Sequence, residues 1–239
     1  MDWLTASRPL IIGHRGASAD APENTLAAFD LALAQGADGI EFDVQLCADG
    51  EPVIMHDDTV DRTCNGRGRV ADLTLDDLRR LSIDGAHPIP TLADIFRQFG
   101  RSTLYNVELK ALGFQDDGLA AAVARCIAAH GVGDRVLVSC FSPFVLRQAR
   151  RVLPDSIPVG LLREHDWLRT GHVLVRAQAD HPSHDLVDAS LMDWARRQEL
   201  RVNVWTVDDP AEAQRLARLG VQGIITNRPA LIRQAAGPF

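Results

Sequence analysis

The amino-acid sequence predicts an α/β protein of the (β/α)8 TIM-barrel class, with a small insertion after the second strand. Short apolar runs rich in β-branched residues alternate with helical stretches from one end of the chain to the other, an order typical of parallel α/β folds. Eight strand–helix units within 239 residues match a barrel of near-minimal size. A doubly wound sheet is the alternative architecture. Because no linker rich in proline, glycine or serine interrupts the chain, we expect a single domain over residues 1–239.

The first units show the pattern most clearly. Residues 10–13 form a short apolar run that predicts a strand, and residues 23–35 carry apolar side chains at helical spacing. Gly36 follows at the position where a left-handed residue commonly ends a helix. A second strand is predicted over 39–46, and a turn connects it to an extended piece at 52–56.

Residues from about 57 to 90 do not fit the alternation and are interpreted as the insertion. They contain a glycine-rich turn at 65–68 and a short helix at 74–81, whose first residue, Thr74, is a typical N-cap.

The alternation then resumes and continues to the end of the chain, with a further short helix near Trp167. The predicted helices are 91–99, 119–130, 143–152, 186–198, 210–219 and 229–235, and the predicted strands are 103–109, 136–140, 157–162, 173–177, 201–207 and 223–226.

Composition excludes several classes of protein. A net charge of −7 argues against nucleic acid as a partner, because binding to phosphate backbones requires a basic surface. No apolar run approaches the ~18–20 residues that span a bilayer, so stable membrane insertion is not expected. The first residues show neither a basic leader nor an apolar segment, and the four cysteines lack metal-binding or CxxC spacing. We therefore expect reduced thiols and a cytoplasmic location.

Acidic side chains lie on two of the predicted barrel strands, where they would face the carboxyl-terminal mouth. Glu41 and Asp43 share one face of the second strand, and Glu108 and Lys110 share one face of the third. Three carboxylates pointing into one mouth would repel each other unless a cation neutralised them. We expect one hard divalent ion, Mg²⁺ or Ca²⁺, bound by Glu41, Asp43 and Glu108, since the ligands typical of zinc are missing.

Basic side chains lie at the ends of the first strand, of the extended piece after the second strand, and of the third strand. Arg15 and Lys110, the one lysine among 25 basic residues, would concentrate positive charge for a phosphate group. His14 and His56 would donate and accept protons on its two sides. Taken singly, each motif has an ordinary explanation, such as a solvent-facing acidic strand, a plain ion pair or a structural histidine. The functional interpretation depends on all of them closing successive strands.

Among the remaining histidines, His181 is an intermediate case that could line the pocket, just past the sixth strand. The others are assigned to surface or loop positions: His87, His130, His165, His172 and His184.

The combined motifs resemble the glycerophosphodiester phosphodiesterase family from about Ile11 to Pro229. The matching segments, in order, are His14-Arg15-Gly16, Pro22-Glu23-Asn24-Thr25, Glu41-Phe42-Asp43-Val44, His56-Asp57, Asp61-Arg62-Thr63, Glu108-Leu109-Lys110 and Trp205-Thr206-Val207. The resemblance implies a TIM barrel with a small insertion and one divalent metal on Glu41, Asp43 and Glu108. It further implies acid–base catalysis by His14 and His56, phosphate binding by Arg15 and Lys110, and a glycerol pocket shaped by Phe141 and Trp205.

The expected activity is metal-dependent hydrolysis of a small-molecule glycerophosphodiester to sn-glycerol 3-phosphate and an alcohol. One alternative is a lysophospholipase D or another lipid phosphodiesterase on the same barrel, which would need an apolar rim or basic patch that the sequence does not clearly show. Another is a non-catalytic phosphate-binding relative, which would usually have lost a histidine or carboxylate. A metal-dependent lyase that deprotonates carbon is the third. The sequence leaves the oligomeric state open.

Overall fold

The computed structural model describes residues 2–111 and 117–237, and within them the chain forms a closed barrel of eight parallel strands. Of the strands, numbered in chain order, β1, β2 and β6 to β11 form the barrel. The bounds are β1 Leu10–His14, β2 Gly39–Leu46, β3 Pro52–Ile54, β4 Ser82–Ile83, β5 His87–Pro88, β6 Leu104–Leu109, β7 Val136–Cys140, β8 Val159–Arg163, β9 Ala179–Pro182, β10 Arg201–Val204 and β11 Gly223–Thr226. The barrel closes because β1 pairs in parallel with both β11 and β2. The predicted fold class is confirmed.

Helices cover the outside of the barrel. They are α1 Leu26–Ala34, α2 Leu75–Arg79, α3 Leu92–Phe99, α4 Leu119–His130, α5 Pro143–Val152, α6 Gly171–Val175, α7 Ala189–Arg197, α8 Pro210–Leu219 and α9 Pro229–Ala236. Helices α4, α5 and α8 and strands β2, β7 and β11 have the predicted bounds, and most of the other predicted elements differ by one to three residues at one or both ends. None of the described helices is long and apolar enough to span a membrane.

The predicted alternation of faces along β2 is confirmed. Ile40, Phe42 and Val44 are fully buried against the helical layer in the main hydrophobic core. Because successive side chains of a strand point to opposite faces, Glu41 and Asp43 face the interior of the barrel.

The predicted insertion at about 57–90 lies between β3 and α3 and contains α2, β4 and β5. Strand β3 runs antiparallel to the end of β2. A small separate core holds the segment together, and its buried members are Cys47, Val53, Met55, Val60, Val70, Leu78, Ile83 and Ile89. Thr74 begins α2 with a capping box, in which its side chain accepts from the Asp77 amide and Asp77 bonds back to the Thr74 backbone.

The strand predicted at 173–177 is wrong, because most of that segment belongs to α6 and the strand follows at β9. The apolar run suggested a buried strand, yet Val173 is 82% and Leu174 47% exposed. Strand β9 has the sequence Ala-Asp-His-Pro, which contains no apolar run. Its Asp180 is fully buried and accepts two hydrogen bonds of 2.6 Å from the Arg163 guanidinium. Strand β9 therefore contains a buried ion pair where the other barrel strands have the apolar run by which a strand is predicted.

His181 is inside β9 and not past the end of a strand. It is fully buried, with Nε2 2.9 Å from Nδ2 of Asn203, and burial lowers its pKa to about 4. A side chain at Gly160 would come within 2.6 Å of that ring, so glycine makes room for it. His181 is a neutral histidine of the barrel interior and is not among the residues that line the central cleft.

Candidate active site

Three carboxylates meet at the carboxyl-terminal end of β2 and β6. Asp43 and Glu108 are register partners on the two strands, and Glu41 lies two residues earlier on the same face as Asp43. Each of the three residues offers an oxygen within 4.8 Å of the others. All three are buried, with exposed fractions of 2% for Glu41, 1% for Asp43 and 8% for Glu108. The structure thus brings together the three residues predicted to bind the metal.

The carboxylate cluster fits a hard cation. Oε1 of Glu41 is buried and has no hydrogen-bond partner in the described part of the chain, which is costly unless another group binds it. Burial, together with the nearby Asp43 carboxylate, raises the pKa of both Glu41 and Glu108. Since the donor atoms are all carboxylate oxygens, the chemistry suits Mg²⁺ or Ca²⁺.

Arg15 and Lys110 flank the cluster, as predicted for a phosphate-binding pair. Nζ of Lys110 is 3.0 Å from Oε1 of Glu108 and 3.6 Å from Oδ1 of Asp43. Nε of Arg15 is 3.2 Å from Oδ2 of Asp43, and the Arg15 backbone N–H donates to Oε2 of Glu41 at 2.9 Å. Two cations thus face three carboxylates.

Asn24 and Glu23 support the cluster from the loop before α1, and the sequence assigned them no role. Asn24 is buried and donates from Nδ2 to Oδ2 of Asp43 at 2.9 Å. Its φ of 58° and the φ of 55° at Arg15 both lie in the left-handed region, where non-glycine residues occur mainly under functional or packing constraint. Short-range sequence patterns cannot reveal this contact, because Asn24 and Asp43 meet only after β1 and β2 pair.

His14 is held by a relay of two polar side chains. Its Nδ1 lies 2.7 Å from Oδ1 of Asn227, and Asn227 donates from Nδ2 to Asp208 at 2.6 Å. The bond to Asp208 fixes the orientation of the amide, so Oδ1 of Asn227 is an acceptor and His14 carries its proton on Nδ1. Burial lowers the pKa of His14 below its ordinary value. The Nε2 atom therefore has a free lone pair near neutral pH.

His56 is held by a carboxylate instead. Its Nδ1 is 2.7 Å from Oδ1 of Asp57. Hydrogen bonds from Arg62 and from His56 lower the pKa of Asp57 to about 2, so the carboxylate is ionised and accepts from the ring. Arg62 also donates to Glu23 at 2.7 Å, and Glu23 accepts from Arg15 at 3.0 Å. A chain of alternating charges thus links His56 to the residues beside the carboxylate cluster.

The central cleft above the carboxylates has a volume of about 360 Å³. His14, His56, Arg15 and Lys110 line it together with Glu41 and Glu108. Phe141 and Trp205 also line it, with ring centroids 5.4 Å apart in an edge-to-face arrangement. All nine predicted site residues thus lie in one region, since Asp43 contacts both flanking cations directly beneath the cleft.

A larger groove of about 970 Å³ opens beside the central cleft and is lined mainly by apolar side chains. Phe141, Phe144, Trp167 and Leu174 line it, and all four are exposed. The prediction that the mouth has no clear apolar rim is therefore wrong. The error arises in the α6 segment, because its apolar run, which includes Leu174, predicts a buried strand.

Comparison with known proteins assigns the chain to a family. The model of the glycerophosphoryl diester phosphodiesterase family matches residues 14–231. A glycerophosphodiester phosphodiesterase of Caldanaerobacter subterraneus subsp. tengcongensis is 35% identical over 232 residues, covering 93% of this chain and 95% of that protein.

Solved structures agree with the family match. A phosphodiesterase of Oleispira antarctica, in complex with the product sn-glycerol-3-phosphate, is 29% identical with a TM-score of 0.88, covering 97% of this chain and 98% of that one. A structure from Silicibacter pomeroyi, described as a glycerophosphoryl diester phosphodiesterase, is 26% identical with a TM-score of 0.87, covering 96% and 93% respectively.

Proposed function

This chain belongs to the glycerophosphoryl diester phosphodiesterase family, and we propose that it hydrolyses glycerophosphodiesters to sn-glycerol 3-phosphate and an alcohol with one bound divalent cation, Mg²⁺ or Ca²⁺. The observation that carries the proposal is the meeting of Glu41, Asp43 and Glu108 within 4.8 Å, between two histidines whose Nδ1 atoms are both engaged.

Glu41, Asp43 and Glu108 would hold the cation, which when bound supplies Lewis-acid stabilisation of a phosphoryl oxygen and lowers the pKa of a coordinated hydroxyl. The local charge supports this arrangement. With all three carboxylates ionised to bind the ion, and with Arg15 and Lys110 beside them, a divalent ion would bring the site to one net positive charge. That charge is complementary to a phosphodiester monoanion. Arg15 and Lys110 would then bind the remaining phosphoryl oxygens through charge-assisted hydrogen bonds.

His14 is proposed as the general base. Its partner Asn227 is a neutral amide, so nothing in the relay favours an imidazolium, and burial lowers its pKa. Its Nε2 would accept the proton of the attacking hydroxyl. The attacker is either the 2-hydroxyl of the substrate's glycerol, giving a cyclic phosphate that water opens, or water itself. Hydrolysis in ¹⁸O-labelled water with a search for the transient cyclic ester separates the two routes.

His56 is proposed as the general acid. Its Nδ1 is bound by the ionised Asp57 carboxylate, which orients the ring and leaves Nε2 as the atom that can transfer a proton. His56 lines both the central cleft and the apolar groove, whereas His14 lines only the cleft. The departing alkoxide would take its proton from Nε2 of His56 as it leaves toward the groove. Phe141 and Trp205 would contact the glycerol moiety in the cleft, with Phe141 at the boundary between the cleft and the groove.

The test is release of glycerol 3-phosphate from a panel of glycerophosphodiesters, with Mg²⁺, Ca²⁺ and EDTA as variables. Activity should require metal, and His14→Ala and His56→Ala should each lower kcat by about 10²–10⁴-fold. His87→Gln, in the insertion and outside both cavities, is the matched control and should behave as wild type. Full activity in EDTA-treated, metal-free enzyme would contradict the cation, and near-normal turnover of either alanine variant would remove its assigned role.

A further inference from the structure

The apolar groove is an unusual feature for the mouth of an enzyme with small polar substrates. We define it by Phe141, Pro143, Phe144, Trp167, Leu168 and Leu174. At about 970 Å³ it has more than twice the volume of the central cleft, about 360 Å³. The glycerol phosphate half of a substrate would therefore fit the cleft, and the groove has room for a second, larger group.

The groove is continuous with the catalytic machinery. His56, Glu108, Lys110 and Phe141 line both the groove and the central cleft. A phosphodiester held beside Lys110 would thus have one ester arm in the cleft and the other in the groove. The His56 side of the phosphate is the side on which the groove opens.

The polar cleft and the apolar groove each suit a different ester arm of the substrate. Carboxylate, amide and hydroxyl groups line the cleft, including Asn106, Glu164 and Thr206, and they can hydrogen-bond to the hydroxyls of glycerol. Beyond the shared residues, the groove is formed mainly by aromatic and aliphatic side chains. An alcohol with an apolar body would gain from burial there.

Exposed apolar surface concentrates at this groove. Phe141, Phe144, Trp167 and Leu174 are 36%, 47%, 72% and 47% exposed, and they make up half of the exposed large hydrophobic side chains in the described residues. Contiguous apolar exposure of this kind usually marks a binding surface. Scattered surface hydrophobics would not converge on one cavity.

The wall of the groove is a packed structural element. Helix α6 approaches α5 closely, since a side chain at Gly171 would lie 2.9 Å from Leu161 and 3.4 Å from Pro143. This contact holds Leu174 and the preceding segment at the edge of the barrel. The side of the groove that α5 and α6 form is therefore a packed part of the fold.

We propose that the groove is a subsite for the leaving alcohol and that the preferred substrates are glycerophosphodiesters whose alcohol carries a neutral alkyl chain of about six to eight carbons or longer. This inference depends on the proposed hydrolase function. The reaction is unchanged: the P–O bond to that alcohol breaks, water supplies hydroxyl to phosphorus and a proton to the alcohol, and the chain occupies the groove.

A cationic head group would find one available carboxylate in the groove. Of the groove's acidic residues, Asp57 is engaged by His56 and Arg62 and Glu108 by Lys110, which leaves the exposed Asp58 among the described lining residues. The aromatic side chains could contact a quaternary ammonium, so a neutral isostere of choline is the discriminating probe.

The experiment measures glycerol 3-phosphate release from glycerophosphoethanol, glycerophosphobutanol, glycerophosphohexanol and glycerophosphooctanol below their micelle concentrations. The value of kcat/KM should rise about two- to threefold for each added methylene. This factor is smaller than the one expected for a fully buried methylene, because the groove is open. Glycerophospho-3,3-dimethylbutanol should exceed glycerophosphocholine, its cationic isostere. A second ester carries the alkyl chain as an acyl group on its glycerol and has a small leaving alcohol. Its hydrolysis should be slower than that of glycerophosphooctanol.

Two exposed variants test the location. Trp167→Gln and Leu174→Asn should each lower the octyl-to-ethyl ratio of kcat/KM at least threefold. Leu231→Asn is the same type of substitution at an exposed position of α9 away from the groove, and it should leave the ratio unchanged.

A flat chain-length series, a preference for choline over its neutral isostere, or faster cleavage of the acylated glycerol ester would each overturn the subsite while leaving the hydrolase intact. Loss of the chain-length effect in the Leu231 variant as well would also overturn it. Absence of glycerol 3-phosphate from every ester would instead contradict the proposed function.

Discussion

His14 and Asn227 are 213 positions apart in the chain, and yet Nδ1 of His14 lies 2.7 Å from Oδ1 of Asn227. The contact exists because β1 pairs with β11, with Gly13 beside Thr226 in the register. The last strand of the barrel thus presents the group that sets the tautomer of a histidine on the first. Asp208 fixes the amide in turn, with Oδ1 accepting from the Asn227 backbone and Oδ2 from its side chain.

Asn227→Asp should move the acid limb of the kcat/KM pH profile to higher pH. The base must be neutral to act, so activity rises with pH through the pKa of His14. In the wild type burial lowers that pKa. A carboxylate in place of the amide stabilises the imidazolium and raises the pKa, by about one unit or more. Ser18→Ala is the control, because Oγ of Ser18 contacts the same Asn227 oxygen at 2.6 Å but adds no charge. An unshifted limb in the aspartate variant would dissociate His14 from the base role.

Arg62→Gln should reduce kcat about tenfold with little loss of stability. Arg62 bridges Glu23 and Asp57, and Asp57 in turn orients His56. The Arg62 side chain is 50% exposed, so the ion pairs contribute little to folding, and the effect is one of positioning. Turnover and Tm are measured in parallel, with Arg69→Gln, from an exposed pair with Asp72, as the control. A Tm drop that accounts for the lost activity would argue for a structural role.

Metal binding should stabilise the protein and release protons. At a concentration 100 times Kd, a bound ion adds about 2.7 kcal/mol to the free energy of unfolding, which is about 5–10 °C in Tm for a chain of this size. Because burial raises the pKa of Glu41 and Glu108, their metal-free carboxyls hold protons that the cation displaces. Calorimetry in buffers of different ionisation enthalpy measures the release.

Glu41→Gln should abolish both the metal-induced rise in Tm and the proton release, because Oε1 of Glu41 is buried in the carboxylate cluster with no hydrogen-bond partner among the described residues. Glu51→Gln, an exposed acidic residue after the β2 turn, is the matched control and should retain both. An unchanged Tm rise in the Glu41 variant would place the cation elsewhere.

Glu212→Gln should destabilise the protein near neutral pH and lose this effect in acid. Hydrogen bonds from Arg215 and His184 lower the pKa of Glu212 to about 2 from 4.5. The folded protein therefore binds fewer protons than the unfolded chain, and the stabilisation is present above pH 4.5 and lost as the pH falls toward 2. The side chain is 22% exposed, so we expect about 1 kcal/mol.

Thermal unfolding from pH 7 to pH 2.5 checks the Glu212 prediction, as the difference in Tm between wild type and variant. The difference should shrink with falling pH, since other carboxylates titrate in both proteins. Asp193→Asn, from an exposed pair with Arg196, should give a small difference. A gap that widens in acid would refute the assignment.

The sequence predicted the barrel because a local signal announces almost every element. The apolar runs of β1, β2 and β6 and the helical periodicity of α4, α5 and α8 are each readable within a few residues. Strand β9 is the exception. Its stability comes from Asp180 bonding Arg163 and from His181 pairing with Asn203, contacts between residues that a local pattern does not join.

The clustering of the acidic and basic side chains likewise followed from the sequence, because strand periodicity puts Glu41 with Asp43 and Glu108 with Lys110 on one face. Tertiary structure alone decided how those side chains are held. Asn24 reaches Asp43, Asn227 fixes His14, and Arg62 joins Asp57 to Glu23.

The groove beside the mouth was also settled only by folding. The residues Val173-Leu174-Val175 have the same composition as a buried strand, and whether they are buried depends on what packs over them. In the folded chain Val175 is buried in the main hydrophobic core, whereas Leu174 is exposed at the groove. The local sequence determines the interactions between residues that are neighbours in the chain. Burial and long-range hydrogen bonds depend instead on strand order and register, and these exist only once the barrel has closed.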